Sequence, residues 1–360
     1  MNTRKMAVLG WVAVLSGLLG TAAGQVVTIE TVPVGNSGNT GEWSGESYGG
    51  YGPDRICGGV DYEYDIGKYE VTTGQYTAFL NAVAKNDPYG LYVETMWSDP
   101  ISDGTKDYAC KIKRTGSPGY YSYSVTSAYA DRPVSHVSWA DAVRFANWMH
   151  NGQPVKKLTG SPSQDADVTE DGAYLINGAT DNVTLQTVTR KSDCTWAVPT
   201  EDEWYKAAYH KNDGVTANYY DYATGSDTKP SNQLTDPDAG NNATYGYFTS
   251  GDVLVLTIGS PYYRTEAGEH ENSESPYGTY DQAGNVEEWC DTFQYSSSRI
   301  LRGGNYYYDG AIRASVRYGH FPNDDYRWGG FRLVYIPEPT SMVLMALCGV
   351  GMLRRRRTRK

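Results

Sequence analysis

Hydrophobic residues recur at helical spacing in three short segments of the chain. Each segment follows a hydroxyl residue, namely Thr72, Ser138 or Thr200. Such a side chain can accept hydrogen bonds from the free amides of a first helical turn. The pattern therefore predicts three short helices. They cover residues 73–84, 139–150 and 201–209.

Short runs rich in β-branched residues predict strands, and turn residues separate these runs. The strands are expected at 26–31, 66–71 and 133–137, with a hairpin through 120–125. The 40 glycines favour many turns over a helical bundle, and residues 211–276 show little regular pattern. A loop region of that length is uncommon in one domain unless it is functional or stabilised by an ion. The predicted fold class is α+β, in a single domain with little regular secondary structure and long loops.

The charge of the chain argues against nucleic acid as a partner. Its formal net charge is −11, with 31 Lys and Arg against 42 Asp and Glu. Several of the basic residues lie at the two ends, so the body between them is more acidic still. Binding to a phosphate backbone needs a basic surface, which this chain does not supply.

Residues 1–24 have the three parts of a secretory signal peptide. Arg4 and Lys5 are followed by an apolar run over 6–19, and small residues then lead to Gly24. This order predicts export, with cleavage near the end of the segment. Residues 25–59, rich in Gly, Ser, Asn and Tyr, are then expected to form an extended lead segment.

Residues 336–360 form a tail with a pattern of its own. Pro337, Glu338 and Pro339 precede an apolar stretch at 342–353, and a cluster of arginines follows. The stretch is shorter than the ~20 residues of a usual membrane helix. It can still form a short transmembrane span whose arginines stay on the cytoplasmic side.

This tail resembles the bacterial PEP-CTERM sorting tail, and an ordinary tail anchor is the alternative. The resemblance implies that an exosortase-type membrane enzyme recognises the Pro-Glu-Pro motif and cleaves near it. Contact with the membrane is then limited to the tail before processing. The mature protein is expected in the cell envelope, on the cell surface or in the extracellular matrix of a bacterium.

The cysteines indicate structural roles rather than metal binding. Five are present, and Cys348 lies in the tail. The remaining four are Cys57, Cys110, Cys194 and Cys290. In an exported body they allow three disulfide pairings, which the sequence does not distinguish, and buried thiols are the alternative. No Cys-x-x-Cys spacing occurs, so a zinc site has no support.

Six sequence blocks, taken in order, resemble the formylglycine-generating enzyme family, also called the sulfatase-modifying-factor domain. The blocks are 67–79, 133–148, 198–208, 277–289, 301–305 and 313–334. The resemblance covers residues 60–335 and implies one α+β domain with a C-type-lectin-like fold, stabilised by calcium. Three arginines that match family positions are expected to pair with buried carboxylates. They are Arg313, Arg317 and Arg332.

Active members of this family oxidise a substrate cysteine with a copper-binding cysteine pair. That pair belongs after the Gly-Gly motif, here Gly303-Gly304, but residues 305–313 contain no cysteine. Copper(I) and thiolate chemistry need soft sulfur ligands, so we expect no copper and no catalytic residue. The alternative is an oxidoreductase of the same family with altered chemistry.

The block around Gly284, Asn285, Val286 and Glu288 resembles the calcium loop of the family. Calcium takes six to eight oxygen ligands from carboxylates, amides and backbone carbonyls, and these residues offer such oxygens. Glu287 replaces the aromatic residue that is familiar at its position. A turn before a buried Trp, with solvated acids, is the alternative. A second calcium site would fall among three residues whose alignment is loose. They are Asn241, Asn242 and Asp252.

Aromatic residues concentrate in the segments that would surround the active-site groove of the family. They are Tyr306, Tyr307, Tyr308, Tyr318 and Trp328. Aromatic faces in a groove suit the stacking of sugars or peptide side chains, whereas the alternative is that these residues cover a small core. The favoured hypothesis is a non-catalytic module that binds a glycan or peptide ligand. A purely structural matrix protein is a further alternative.

Overall fold

The computed structural model describes residues 26–100, 106–155 and 166–337. The expected signal peptide, the end of the sorting motif and the apolar stretch of the tail therefore lie outside the described residues. Within the described ranges, no helix is long and apolar enough to cross a membrane.

All three predicted helices are confirmed, and each begins with a capping box. The hydroxyls of Thr72, Ser138 and Thr200 accept hydrogen bonds from the backbone amides three residues later. Two further helices have only a single turn each. The helices are α1 (Thr73–Val83), α2 (Ser127–Ala130), α3 (Trp139–His150), α4 (Asn182–Leu185) and α5 (Glu201–Tyr209).

The strands are short and numerous. In chain order they are β1 (Thr31–Val34), β2 (Glu42–Ser44), β3 (Arg55–Cys57), β4 (Tyr64–Gly67), β5 (Lys113–Thr115), β6 (Ser122–Ser124), β7 (Trp196–Ala197), β8 (Gly246–Phe248), β9 (Leu254–Leu256), β10 (Glu287–Tyr295), β11 (Ser298–Arg302), β12 (Tyr318–His320), β13 (Gly329–Gly330) and β14 (Val334–Tyr335). Two four-stranded sheets have the orders β1-β4-β14-β7 and β12-β11-β10-β13, and three hairpins pair β2 with β3, β5 with β6 and β8 with β9.

The strand predictions hold only in part. The strand expected at 26–31 begins at its last residue and continues to Val34, and the one at 66–71 starts and ends earlier. The strand expected at 133–137 does not form: the segment makes isolated bridges, and His136 has a φ of 63°. Because an extended strand needs negative φ, this residue interrupts it. The hairpin expected at 120–125 forms as β5–β6, but only its second strand lies in the expected range, because the first strand begins at Lys113.

An aromatic core joins α1 and α3 to the first sheet. The ring of Phe79 lies 5.2 Å from that of Phe145 and 5.3 Å from that of Trp148, measured between centroids. Phe331, just before β14, packs 5.4 Å from Phe145. These edge-to-face and tilted contacts are the geometry that aromatic quadrupoles favour. The core thereby fixes the C-terminal strands against the helices.

A buried ion-pair network ties α5 to the second sheet. Glu201 accepts hydrogen bonds from Arg302 and Arg317 at 2.6 Å, and from Arg55 at 2.9 Å. Burial opposes ionisation of this carboxyl, but the surrounding arginines lower its pKa to about 2. The expectation of buried pairing is confirmed for Arg317. In contrast, Arg313 pairs with Asp221 at 3.1 Å, where both side chains are more than 40% exposed.

Candidate functional site: an aromatic groove

A cavity of about 270 Å³ opens beside the second sheet. We call it the aromatic groove. Its lining residues are Glu287, Asn305, Tyr307, Tyr308, Tyr318, Tyr326 and Trp328. Four of the five residues expected in a ligand groove therefore line one cavity.

The loop that carries Tyr307 and Tyr308 depends on the two preceding glycines. Gly303 and Gly304 have φ angles of 91° and 74°, in the left-handed region that side chains disfavour. A Cβ on Gly304 would also lie 2.9 Å from the backbone carbon of Ala311. The Gly-Gly motif thus allows the tight turn that leads from β11 into the groove wall.

The aromatic rings of the groove pack against one another in stacked and edge-on pairs. Tyr307 and Trp328 stack at 6.0 Å with an interplanar angle of 28°, and Tyr326 meets Trp328 edge-on at 5.5 Å. Tyr308 is 48% exposed at the rim. The indole Nε1 of Trp328 has no hydrogen-bond partner among the described residues. Such a wall combines apolar aromatic surface with one unpaired donor, and ligand sites commonly join apolar lining with a few polar groups.

Tyr306 lies outside the groove, in the core behind it. It is only 1% exposed, and its ring centroid lies 5.9 Å from that of Tyr108 and 6.0 Å from that of Tyr263. The Arg264 guanidinium lies 5.4 Å from the same ring. For this tyrosine the structure shows the alternative role, which is to cover a small core. Its backbone still directs the next two tyrosines into the groove.

Glu287 lines the groove as a buried carboxyl, which sequence analysis did not include in the site. Its Oε1 accepts a hydrogen bond from Asn305 Nδ2 at 2.6 Å, whereas its Oε2 has no partner in the described part of the chain. Burial raises the pKa of Glu287 to about 7, although the polar groups of Asn305 and Tyr326 partly offset this effect. The sequence signal that could have identified Glu287 is that it stands where the family usually has an aromatic residue.

The residues expected in a calcium loop are mostly engaged with protein groups. Both carboxylate oxygens of Glu288 bind Arg332, at 2.6 and 2.7 Å, and Oε2 also accepts from Trp204 Nε1 at 2.8 Å. Asn285 Nδ2 and the amide of Val286 donate to the Glu70 carboxylate at 3.0 and 3.1 Å. The loop is therefore held by an ion pair and by hydrogen bonds.

Packed in this way, the oxygen atoms of the loop do not fit the coordination that calcium needs. The side-chain oxygen of Asn285 is buried without a partner, but it is the one side-chain oxygen left free among the expected ligands, whereas calcium takes six to eight oxygens. An ion that used Glu288 would have to displace the Arg332 guanidinium. Across the residues that the structure describes, no group of three or more His, Cys, Asp or Glu could hold a metal ion.

The three residues of the loosely aligned second calcium site are held by different partners. Asn241 accepts from Thr224, Asn242 donates to Asp238, and Asp252 lies in the turn between β8 and β9, where its amide donates to the Thr249 carbonyl. Calcium therefore stays a prediction at both places.

The four cysteines of the described body are free thiols, and all are buried. Burial raises the pKa of each of them, in the case of Cys57 to about 11. None of them lines the groove. Because the thiolate is the reactive form and the metal ligand, these cysteines are suited to packing rather than to redox chemistry. Of the two alternatives that the sequence left open, the structure shows buried thiols.

The fold and the groove define an α+β domain with short strands and long loops. A family model described as the sulfatase-modifying factor enzyme 1-like domain matches residues 36–336, and the chain belongs to this family. The PEP-CTERM protein-sorting motif matches residues 336–357, and it indicates export and sorting to the bacterial envelope or surface by exosortase-type machinery. No curated protein matches the chain.

The chain is similar to solved structures of low sequence identity. Treponema denticola variable protein 1 is 19% identical, with a TM-score of 0.50 over 88% of this chain and 98% of that one. CarF is 20% identical with a TM-score of 0.44, over 87% of this chain and all of its own. PvdO from Pseudomonas aeruginosa is 16% identical with a TM-score of 0.44, over 88% of this chain and 100% of its own. The single α+β domain is confirmed, and the C-type-lectin-like description stays a prediction.

Proposed function

We propose that this protein is a non-catalytic ligand-binding module at the bacterial surface or in the matrix, and that its aromatic groove binds a glycan or peptide. The single observation that carries the proposal is the open cavity lined by five aromatic side chains. Aromatic rings supply large contact area at low conformational cost, and they dominate many binding sites.

The chemistry of the groove supports binding without catalysis. The segment after Gly303-Gly304 has tyrosines where the active family members carry the copper-binding cysteines. The thiols elsewhere in the described body are buried, with their pKa raised by that burial. No thiolate is therefore available beside the groove to bind copper or to attack a substrate.

Substitution of two groove residues tests the proposal. The exported protein is screened on glycan and peptide arrays, and each hit is titrated with Tyr308→Ala and Trp328→Ala. We expect each variant to bind at least about 10-fold more weakly, since truncation of a central aromatic residue that acts as a hot spot costs about 2 kcal/mol or more.

Tyr120→Ala is the matched control because Tyr120 is 78% exposed on a different hairpin, away from the groove. Equal affinities for all four proteins would contradict the proposal, as would the absence of any ligand. Oxidation of a peptide cysteine that survives loss of Cys290 would favour the oxidoreductase alternative instead.

A further inference from the structure

Two further depressions each share a lining residue with the aromatic groove, and we call the three together the channel. A depression of about 530 Å³ adjoins it and shares Tyr308, and another of about 420 Å³ shares Tyr318. Exposed aromatic residues continue into both neighbours, with Phe248 on one side and Tyr51 and Phe321 on the other. A channel of three adjoining depressions suits a chain of repeated units better than one small molecule.

The channel offers no unpaired cation to a ligand. Among the residues that line its three parts, Lys229 is bound to Asp309 at 2.6 Å, and His320 contacts Asp324 at 3.0 Å. Apart from these pairs, the charged residue of the lining is Glu287, which is an acid. An anionic chain would therefore lose its hydration without gaining a counter-charge, and this cost disfavours anionic ligands.

Glu287 presents an oxygen that lacks a hydrogen-bond donor. The side chain is 4% exposed and lines the groove, and Asn305 holds Oε1. Oε2 makes no hydrogen bond of good geometry, although the Tyr326 hydroxyl lies near enough to the carboxyl to offset part of the rise in its pKa. A buried acceptor without a well-placed donor is unfavourable, because it has lost its hydrogen bonds to water. A ligand hydroxyl that reaches Oε2 would restore such a hydrogen bond.

We infer that the channel binds a neutral polysaccharide, with a sugar hydroxyl donating to Glu287 Oε2 while sugar rings stack on Tyr308 and Trp328. The inference rests on the proposed function and narrows it from glycan or peptide to one ligand class. Every unit of such a chain carries hydroxyl donors and an apolar C–H face, which match the free acceptor and the aromatic rings. An extended peptide commonly binds by pairing with the edge strand of a sheet. The edge strand here, β12, is only three residues long and offers little backbone for such pairing.

The test is affinity electrophoresis of the exported protein in gels that contain single polysaccharides. Dextran, galactomannan and xyloglucan serve as neutral probes, and alginate and polygalacturonate serve as anionic ones. We expect retardation by at least one neutral polymer and not by the anionic ones. Hexasaccharides of the retarding polymer are expected to bind at least about 10-fold more tightly than its disaccharides.

Variants of Glu287 separate recognition from folding. Glu287→Leu is expected to bind the neutral polymer about 10-fold more weakly because it has no hydrogen-bonding oxygen. Its thermal unfolding temperature should change little, because the loss of an unpaired buried oxygen offsets the loss of the acceptor for the Asn305 amide. Glu287→Gln can keep its oxygen on Asn305 and present its amide group to a sugar hydroxyl, which accepts as well as donates, so it should stay within about threefold of the parent affinity. Glu42→Gln is the matched control, because Glu42 is another acid of raised pKa that does not line the channel.

The outcomes distinguish this inference from the proposed function. Tighter binding of alginate, or of a peptide, through Tyr308 and Trp328 would overturn the neutral polysaccharide but keep the binding module. Unchanged affinity of Glu287→Leu, or a loss of stability that accounts for its weaker binding, would overturn the role of the carboxyl. A protein that binds no member of any class would overturn both.

Discussion

Glu288 and Arg332 are both fully buried, and each neutralises the other. The guanidinium also donates to the carbonyls of Gly67 and Tyr280, at 2.9 and 2.8 Å. Arg332 thus joins β10 to the end of β4 and to the segment before β10. A buried pair of this kind adds little net stability, but removal of one partner leaves an uncompensated charge.

Arg332→Met tests whether arginine or calcium balances Glu288. We expect a loss of about 3–5 kcal/mol in the free energy of unfolding, measured by denaturant titration with and without added calcium. A chelator should not change the parent protein. Lys191→Met is the control, because the exposed pair between Lys191 and Asp171 is worth less than about 1 kcal/mol. Stabilisation of the parent protein by calcium, lost in Asn285→Ala, would restore the calcium hypothesis.

At the residue scale, the sequence predicted the aromatic part of the site better than the polar part. Tyr307 and Tyr308 followed from their place after the Gly-Gly motif. Glu287 and Asn305 are distant in sequence, and neither has a local pattern that predicts its hydrogen-bond partner. Only the pairing of β10 with its neighbours, in which Glu287 stands opposite Gly329, fixes that carboxyl beside the groove.

Helix α3 shows what local sequence signals can specify. Ser138 caps it by accepting a hydrogen bond from the Asp141 amide at 3.2 Å, and the Ser138 amide donates to the Asp141 carboxyl at 2.9 Å. The helix then buries nearly all of its side chains, including Phe145 and Trp148. The cap determines where the helix begins, and the packing determines how much it stabilises the fold.

Ser138→Ala is expected to lower the free energy of unfolding by about 1 kcal/mol, because the first turn loses its cap. Denaturant titration measures this change. Thr126→Ala is the matched control, since Thr126 precedes α2 without making a capping hydrogen bond. An equal effect of the two substitutions would show that the cap contributes nothing specific.

The whole molecule buries several carboxyl groups that are costly to ionise. Burial raises the pKa of Glu42 to about 7, and it raises the pKa values of Asp141 and Asp291 to about 6. Burial likewise raises the pKa of Glu287 at the groove. The folded protein therefore holds more protons than the unfolded chain between about pH 4 and pH 7.

The free energy of unfolding should consequently fall as the pH rises through the pKa values of these buried carboxyl groups. These groups contribute stability that is fully present below their unfolded pKa of about 4 and is lost as the pH passes about 6–7. We expect a lower thermal unfolding temperature at about pH 8 than at about pH 5. Glu42→Gln should make this pH dependence shallower, whereas Glu30→Gln, at an exposed side chain, should not. A stability that increases steadily to about pH 8 would contradict the prediction.

By itself the sequence determined the three main helices, the α+β class, the sorting motif and most of the groove tyrosines. These features depend on caps, periodicity and motifs that lie within a few residues of one another. The tertiary structure alone decided the strand pairings, the burial of Tyr306, the ion pair of Glu288 and the free oxygen of Glu287. Each of these depends on residues far apart in the chain, and only folding brings them into contact.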